Sequence, residues 1–295
     1  MTDTIFRSRS LGTPAEGLRD QYADGKAARV WEIFIGDKNS RTQNYRNFLT
    51  GLLRSRGCKR ILDVACGTGI DSVLLLEEGF EVVSVDASDK MLKYALKTRW
   101  ARRKETAFDN WIIEEANWLT LYDDIEQHIG DGFDAVICLG NSFAHMMDSF
   151  GDQREQRLAI KNFEKCVKHG GLLLIDHRNY EYIIKSGSTP SKCLYYNSKH
   201  MIDIKTSVLF EAGKPAMVML DYIIDASGVL RTRDSNKEDD VSEFRLSYYP
   251  HQLETFKVML LEAFGTKSSY KLFGDFKSLE KAENPNFFIH LVEKL

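Results

Sequence analysis

Leu62-Asp63-Val64-Ala65-Cys66-Gly67-Thr68-Gly69 decides the fold. The apolar run from Arg60 to Ala65 reads as a short buried strand, and the pattern from Asp71 to Glu78 is helical. Between them, two glycines one residue apart let the backbone turn sharply and approach a ligand closely. A Gly-x-Gly turn alone is weak evidence, but three features sharpen it. Asp86 ends the next strand, about twenty residues past the loop, where a carboxylate can accept from ribose hydroxyls. The third small position is Ser72, not glycine. Asp63 and Asp71 flank the loop, where carboxylates repel the pyrophosphate of a dinucleotide and favour the cationic sulfonium and ammonium of S-adenosylmethionine. Ordinary turn glycines with a capping aspartate would explain the loop without explaining Asp86.

Strands and helices alternate outward from this stretch. Strands are expected at Glu81–Val85, Trp111–Ile113, Phe133–Cys138 and Gly171–Asp176. Ser88 reads as the N-cap of a helix. A second helix is expected from Arg154 to Lys168, ended by Gly170-Gly171. Upstream, Asp24 to Arg56 reads as helical, with Leu49, Leu52 and Leu53 on one face. This rhythm implies a mostly parallel, seven-stranded Rossmann-like α/β sheet with helices on both faces. It breaks after Asn179. Ile202–Phe210 and Met217–Ile224 read as antiparallel strands, followed by an acidic connection from Ser227 to Asp240. The alternation resumes with a helix at His251–Phe264 and a hairpin-like pair, Ser268–Phe273 and Asn286–Val292. Residues 1–20 thus read as an extended arm, 21–178 as the cofactor domain, 179–245 as an antiparallel insertion or substrate lid, and 246–295 as the completion of the sheet.

Composition excludes several classes. A formal charge of -3 across 295 residues gives no global field for nucleic acid. The densest basic spot, Ala101-Arg102-Arg103-Lys104, reads as a solvated helix end. No stretch approaches a membrane span, and Met1 to Arg9 lacks the apolar core of a signal peptide. Cys58, Cys66, Cys138, Cys166 and Cys193 form no Cys-x-x-Cys pair, which fits reduced thiols in the cytosol. The histidines show no metal-ligand spacing, so no metal is expected.

Two post-strand loops point at ligands, because open α/β sheets bind them beyond the carboxyl ends of their strands. Glu115-Ala116-Asn117-Trp118 would border an adenine, with an amide or carboxylate for its amino group and an indole for its face. Taken alone Trp118 would read as a core residue, but its place at a strand's carboxyl end reverses that preference. Cys138-Leu139-Gly140-Asn141-Ser142-Phe143 puts Asn141 where a substrate would lie, although an asparagine in a tight turn after glycine is the alternative.

These motifs resemble the glycine N-methyltransferase family of class I methyltransferases. The resemblance is carried by Val64–Gly69, Ser84-Val85-Asp86-Ala87-Ser88-Asp89-Lys90-Met91-Leu92, Glu114–Trp118, Cys138–His145 and Ile175-Asp176-His177-Arg178-Asn179-Tyr180. It begins near Arg7-Ser8-Arg9-Ser10-Leu11-Gly12 and runs through Gln21–Gly25 and Leu246–His251 to Gly274–Lys277, nearly the whole chain. It implies a methyl transfer from S-adenosylmethionine to glycine, giving sarcosine and S-adenosylhomocysteine without a metal. By the same resemblance Tyr22, Trp31, Phe34, Arg41, Ala65, Gly67, Asp86, Asn117, Trp118 and Leu139 border the cofactor. Asn141, Arg178, Tyr196 and Tyr222 match substrate-side positions, and Tyr22 and Tyr248 belong to the same pocket. Phe34 departs from the family, which has tyrosine there. The resemblance further implies a cytosolic homotetramer whose arm reaches a neighbouring subunit, and inhibition by 5-methyltetrahydrofolate.

On this reading Arg178, a planar fork, pairs with the glycine carboxylate, and Asn141 orients the amine. A structural ion pair is the alternative for Arg178. His145 and His177 are suited to base chemistry, yet packed histidines are at least as expected at both places. Other small amines such as sarcosine, or a non-catalytic S-adenosylmethionine- or folate-binding protein, are the competing functions. A dinucleotide oxidoreductase is disfavoured by Asp63 and Asp71.

Overall fold

The computed structural model describes residues 41–190, 194–196, 201–225, 241–282 and 284–295. The expected arm, the helical reading between Asp24 and Ser40, and the connection from Ser227 to Asp240 lie outside the described residues.

The loop stretch folds as strand β1 (Arg60–Asp63), a turn, and helix α2 (Ile70–Glu77). Before it stands α1 (Gln43–Ser55), whose N-cap Thr42 accepts the Tyr45 N–H. Next come β2 (Glu81–Asp86), α3 (Asp89–Ala101), β3 (Ile112–Glu115), β4 (Phe133–Cys138), α4 (Arg154–Cys166), β5 (Val167–Arg178) and α5 (Tyr180–Ser186). Three further strands, β6 (Met201–Glu211), β7 (Lys214–Asp225) and β8 (Val241–Tyr248), precede α6 (Leu253–Phe264), β9 (Ser269–Gly274), β10 (Lys277–Ser278) and β11 (Phe287–Glu293).

The main sheet runs β10-β9-β11-β5-β4-β1-β2-β3, parallel from β5 to β3 and antiparallel beyond β5. Short β10 adds an eighth strand to the expected seven. Alternate residues feed two cores, as a sheet covered on both faces requires. Ile61, Ala135, Ile137, Leu172 and Leu174 pack with Leu49 and Leu53 of α1 and Leu75 of α2. Leu62, Val83, Val136, Leu173 and Ile175 pack with Ile160 and Phe163 of α4 and Phe256 and Leu260 of α6. Strands β6, β7 and β8 form a separate antiparallel sheet. Its Val218, Leu220, Tyr222, Leu246 and Tyr248 join the first core, which hangs this sheet over the carboxyl ends of β4 and β5.

Several local expectations need correction. Helix α4 stops at Cys166, four residues before Gly170. Val167 already pairs with Phe133, and the register then shifts before Ala135 meets Leu172. The glycine pair therefore belongs to a bulge: Gly170 has φ 76, and a Cβ on Gly171 would lie 2.9 Å from the carbonyls of Lys168 and Phe133. Ser88 occupies the N-cap position without a capping bond from its side chain. Strand β3 starts at Ile112, because Trp111 is wholly buried and its indole donates to Ser84 Oγ at 2.7 Å. Strand β8 was not foreseen as such. The basic spot is a helix end, where Arg102 pairs with Glu105 at 2.5 Å and lies over the Phe108 ring.

Candidate active site

One cavity of about 470 Å³ opens beyond the carboxyl ends of β1, β2, β4 and β5. That volume suits a cofactor-sized ligand. The structure brings to its wall Arg41, Ala65, Gly67, Asp86, Asn117, Trp118, Leu139, Asn141, Arg178, Tyr196, Tyr222 and Tyr248. Tyr22, Trp31 and Phe34 lie outside the described residues.

The loop forms as its glycines demand. Gly67 and Gly69 have φ 54 and 85. A Cβ on Gly69 would fall 2.7 Å from the Trp111 ring and 3.0 Å from Ala95, so glycine also permits the close packing of α2 on α3 and the strand ends. The Gly67 N–H donates to Asp86 Oδ2 at 2.8 Å, and the Ser88 N–H to Oδ1 at 2.9 Å. An ionised carboxylate accepts about four hydrogen bonds, so Asp86 can hold ribose hydroxyls while still bonded to its loops. This donor and acceptor set fits the nucleoside of S-adenosylmethionine.

The electrostatics around the loop are gentler than two bare aspartates. Arg41 pairs with Asp71 at 2.7 Å, both side chains being largely buried. Asp63 is buried, and that burial, with the charge of Asp71 next, pushes its pKa up to about 7. Asp63 is therefore much easier to protonate than an exposed aspartate. A relay stabilises it: Trp111 donates to Ser84 Oγ, Ser84 to Ser72 Oγ at 2.8 Å, and Ser72 to Asp63 Oδ2 at 2.8 Å. The serine at the third small position thus has a partner that glycine would lack.

Trp118 offers a ring face. Its indole N–H is already donated to the Val64 carbonyl at 2.6 Å, and its other face stacks on Phe143 at 5.5 Å. Asn162 of α4 fixes this loop by donating to the carbonyls of Trp118 and Leu119 at 3.0 and 2.8 Å. Asn117 turns its own amide oxygen to the Leu119 N–H at 3.0 Å.

The opposite side is built around Asn141. It is buried, with φ 67. Its Nδ2 donates to the Tyr180 hydroxyl at 2.8 Å, and its Oδ1 accepts the Arg178 N–H at 2.9 Å. The amide therefore braces the end of β5 as well as lining the cavity. The Arg178 guanidinium lies over the Phe287 ring, 4.7 Å from its centre. Tyr222 and Tyr248 share a hydrogen bond at 2.9 Å between hydroxyls, and Tyr222 stacks on Phe244. Tyr196 forms an isolated bridge with Arg41. His145 packs against Tyr248 with ring centres 4.7 Å apart, and burial lowers its pKa to about 4. His177 is wholly buried on β5, with its Nδ1 2.8 Å from the Arg178 carbonyl. Both rings are therefore uncharged at neutral pH.

Sequence reasoning missed three residues that support this side: Asp176, Tyr180 and Tyr195. Asp176 carried a signal, an acid closing the run Leu172-Leu173-Leu174-Ile175. Tyr195 had none, because it sits in an irregular segment. Among the described residues, no group of three His, Cys, Asp or Glu side chains is placed to hold a metal ion, and no helix is long and apolar enough to cross a membrane.

A mostly parallel Rossmann-like sheet whose glycine turn and strand-end acid line one cavity beyond its carboxyl edge has the fold of a class I S-adenosylmethionine-dependent methyltransferase. A family model described as a methyltransferase domain matches residues 56–235. The chain is 58% identical to the glycine N-methyltransferase of Rattus norvegicus, over all of this chain and 99% of the relative. It is 55% identical to that of Homo sapiens over the same shares. A glycine/sarcosine N-methyltransferase of Parasynechococcus marenigrum (strain WH8102) is 34% identical, over 90% of this chain and 81% of the relative. Among solved structures, the CcbJ methyltransferase of Streptomyces caelestis superposes with a TM-score of 0.67 at 13% identity, over 93% of this chain and 99% of that one. The chain belongs to the glycine N-methyltransferase family.

Proposed function

We propose that the protein transfers the methyl group of S-adenosylmethionine to the amine of glycine, giving sarcosine and S-adenosylhomocysteine. The observation that carries this reading is that Arg178 lines the same cavity as Asp86 and the glycine turn. A planar fork suits a carboxylate, and glycine is the smallest amine that carries one. When bound, the sulfonium supplies an already activated methyl group. Asp86 and Gly67 would hold its nucleoside, and Trp118 would cover the adenine. The protein's own task is alignment: Arg178 holds the acceptor, while Asn141, Tyr222 and Tyr248 shape the chamber around the amine. The amine must present a free lone pair. His145, with its lowered pKa, is too weak a base to take an ammonium proton at neutral pH, so that proton leaves to water.

The names of the bacterial relatives favour sarcosine as a second acceptor. An acceptor screen with methyl-labelled S-adenosylmethionine across glycine, sarcosine, other amino acids and simple amines tests both. Labelling of glycine above all others is expected, and preference for an amine without a carboxylate would overturn the assignment. By family resemblance we also assign inhibition by 5-methyltetrahydrofolate, a homotetramer in which the arm, residues 1–20, reaches into a neighbouring subunit, and a cytoplasmic location. Sedimentation with and without those residues, and assays with added folate, test the first two. The reading of 21–178 with 246–295 as cofactor domain and 179–245 as substrate lid belongs to the same proposal.

A further inference from the structure

Asp176 lies at the carboxyl end of β5 on the Asn141 side of the cavity, and none of it reaches solvent. A buried carboxylate is costly unless hydrogen-bonded, so its partners indicate its work. Oδ1 accepts the Asn141 N–H at 2.8 Å, and Oδ2 accepts the Gly140 N–H at 3.2 Å. The Tyr195 hydroxyl is a third donor. Gly140 and Asn141 are both left-handed, with φ 81 and 67. That conformation is strained for asparagine and persists only where the surroundings enforce it. Two successive N–H groups converging on one carboxylate do so here. Because the Asn141 amide in turn accepts the Arg178 backbone N–H, the anion at Asp176 bears on where the Asn141 side chain and the end of β5 stand.

Tyr195 arrives from the other side of the cavity. Its carbonyl accepts the Thr42 N–H at 3.0 Å, and the neighbouring Leu194 carbonyl accepts the Thr42 hydroxyl at 2.5 Å. Tyr196 bridges Arg41, the partner of Asp71 at the start of α2. The Tyr195 ring is wedged edge-on against Tyr45, Phe276 and Phe287, with centres 4.8 to 5.1 Å apart. The hydroxyl is thus aimed by a rigid setting rather than by chance.

The geometry points to Tyr195 as a positioning residue for methyl transfer: its hydroxyl, acting through Asp176, fixes the Gly140–Asn141 turn and ties the acceptor side of the cavity to the Arg41–Asp71 pair on the cofactor side. This rests on the acceptor-side reading of Asn141 and Arg178. The charged and titratable groups that face Asp176 are Arg178 on its own strand, Cys138 on β4, Tyr180 beyond β5, and Tyr195. Strand β11 presents apolar Ile289 opposite it. Burial raises the Asp176 pKa to about 6, and the Tyr195 hydrogen bond leads the groups that oppose the rise. Without that donor the anion is less supported and takes up a proton at higher pH. A protonated carboxyl gives up an acceptor position, and the turn loosens.

The test is Tyr195→Phe in the full chain, with S-adenosylmethionine affinity by calorimetry, kcat and KM for glycine, and the pH profile of kcat/KM. The expected result is a fall in kcat/KM of about tenfold, the scale of one hydrogen bond to a charged group. Cofactor affinity should stay within about twofold of wild type, and the acid limb of the profile should move up toward neutrality. Asp176→Asn, which cannot ionise, should abolish that limb. A variant that melts earlier but keeps wild-type kinetics and limb would make Tyr195 merely structural and overturn the proposal. So would a change confined to cofactor affinity. If Arg178→Lys left glycine use intact while the limb still moved in Tyr195→Phe, the carboxylate clamp would fall and the Tyr195 coupling would stand.

Discussion

In the proposed function Asp86 holds the nucleoside and Arg178 the acceptor, and each assignment makes a distinct prediction. Asp86→Ala removes a charged acceptor from the nucleoside and two backbone bonds from the loops. A hydrogen bond to a charged group is worth about 1.5–3 kcal/mol, so S-adenosylmethionine affinity should fall by about tenfold or more. Calorimetry that finds it unchanged in a folded variant removes Asp86 from the site. Arg178→Lys keeps the charge and loses the fork, so KM for glycine should rise and kcat fall, by about a hundredfold together if the amine is misaimed by about 1 Å. Methylamine, which lacks the carboxylate, should be a poor substrate and should lose little more in the variant. Equal use of methylamine and glycine would contradict the clamp. The place of Asp86 at the end of its strand was legible in the sequence, whereas Arg178 was expected two residues past a strand that in fact runs on to include it. The bracing of Asn141 by Tyr180 and Arg178 was not legible, because nothing in the spacing of 141, 178 and 180 shows that a left-handed turn folds back onto β5.

At the scale of elements, the most legible unit was the strand, turn and helix around Gly67 and Gly69. It makes the most local prediction. Gly69→Ala combines a φ of 85 with a methyl group 2.7 Å from Trp111. Strain and overpacking of this kind each cost about 1–3 kcal/mol. The variant should melt several degrees lower, bind cofactor more weakly and shift its tryptophan emission. Wild-type melting together with unchanged emission would mean that the turn relaxes freely. The helix α4 boundary was misread for a physical reason. A glycine pair after a helical run signals a cap, but the same pair permits a bulge, and only the pairing of Phe133 with Val167 decides between them. Strand β8 escaped notice because polar residues interrupt the apolar ones along Ser242-Glu243-Phe244-Arg245-Leu246, while pairing with β7 holds it in place.

The whole molecule has a pH balance that no single residue reveals. His177, His251 and His290 are buried together, ring against ring. Burial lowers His177 to about 4 and the other two well below the ordinary value. An unfolded histidine titrates near 6.5, so between about 6.5 and 4 the unfolded chain binds protons that the folded one refuses, and stability falls as pH falls. Asp63 and Asp176 work in the opposite sense. With pKa values raised to about 7 and about 6, the folded state takes up protons first and gains stability on acidification. His145, likewise lowered to about 4, adds to the histidine side, and four sites against two leave a net loss. The melting temperature should therefore drop from pH 7.5 to 5, and more steeply in Asp63→Asn, which lacks one compensating proton. Parallel curves for the two proteins would refute the balance. Turnover should show a separate rise from neutral to alkaline pH as the amine of glycine loses its proton. A flat profile between neutral and alkaline pH would contradict loss of the amine proton to water.

Strand β11 has a consequence for how the molecule comes into being. It lies between β5 and β9, and its Phe287 stands opposite Arg178. Everything from Asn179 to Asn286 must therefore leave the ribosome before β5 gains its second neighbour and the guanidinium gains the ring it rests on. A nascent chain that has already finished the glycine turn and Asp86 holds half a site, with an open strand edge beside it. Such an edge invites pairing with other chains. The acceptor clamp is thus among the last parts to mature during synthesis, and a chaperone that shields β5 until β11 arrives would protect the yield of active enzyme.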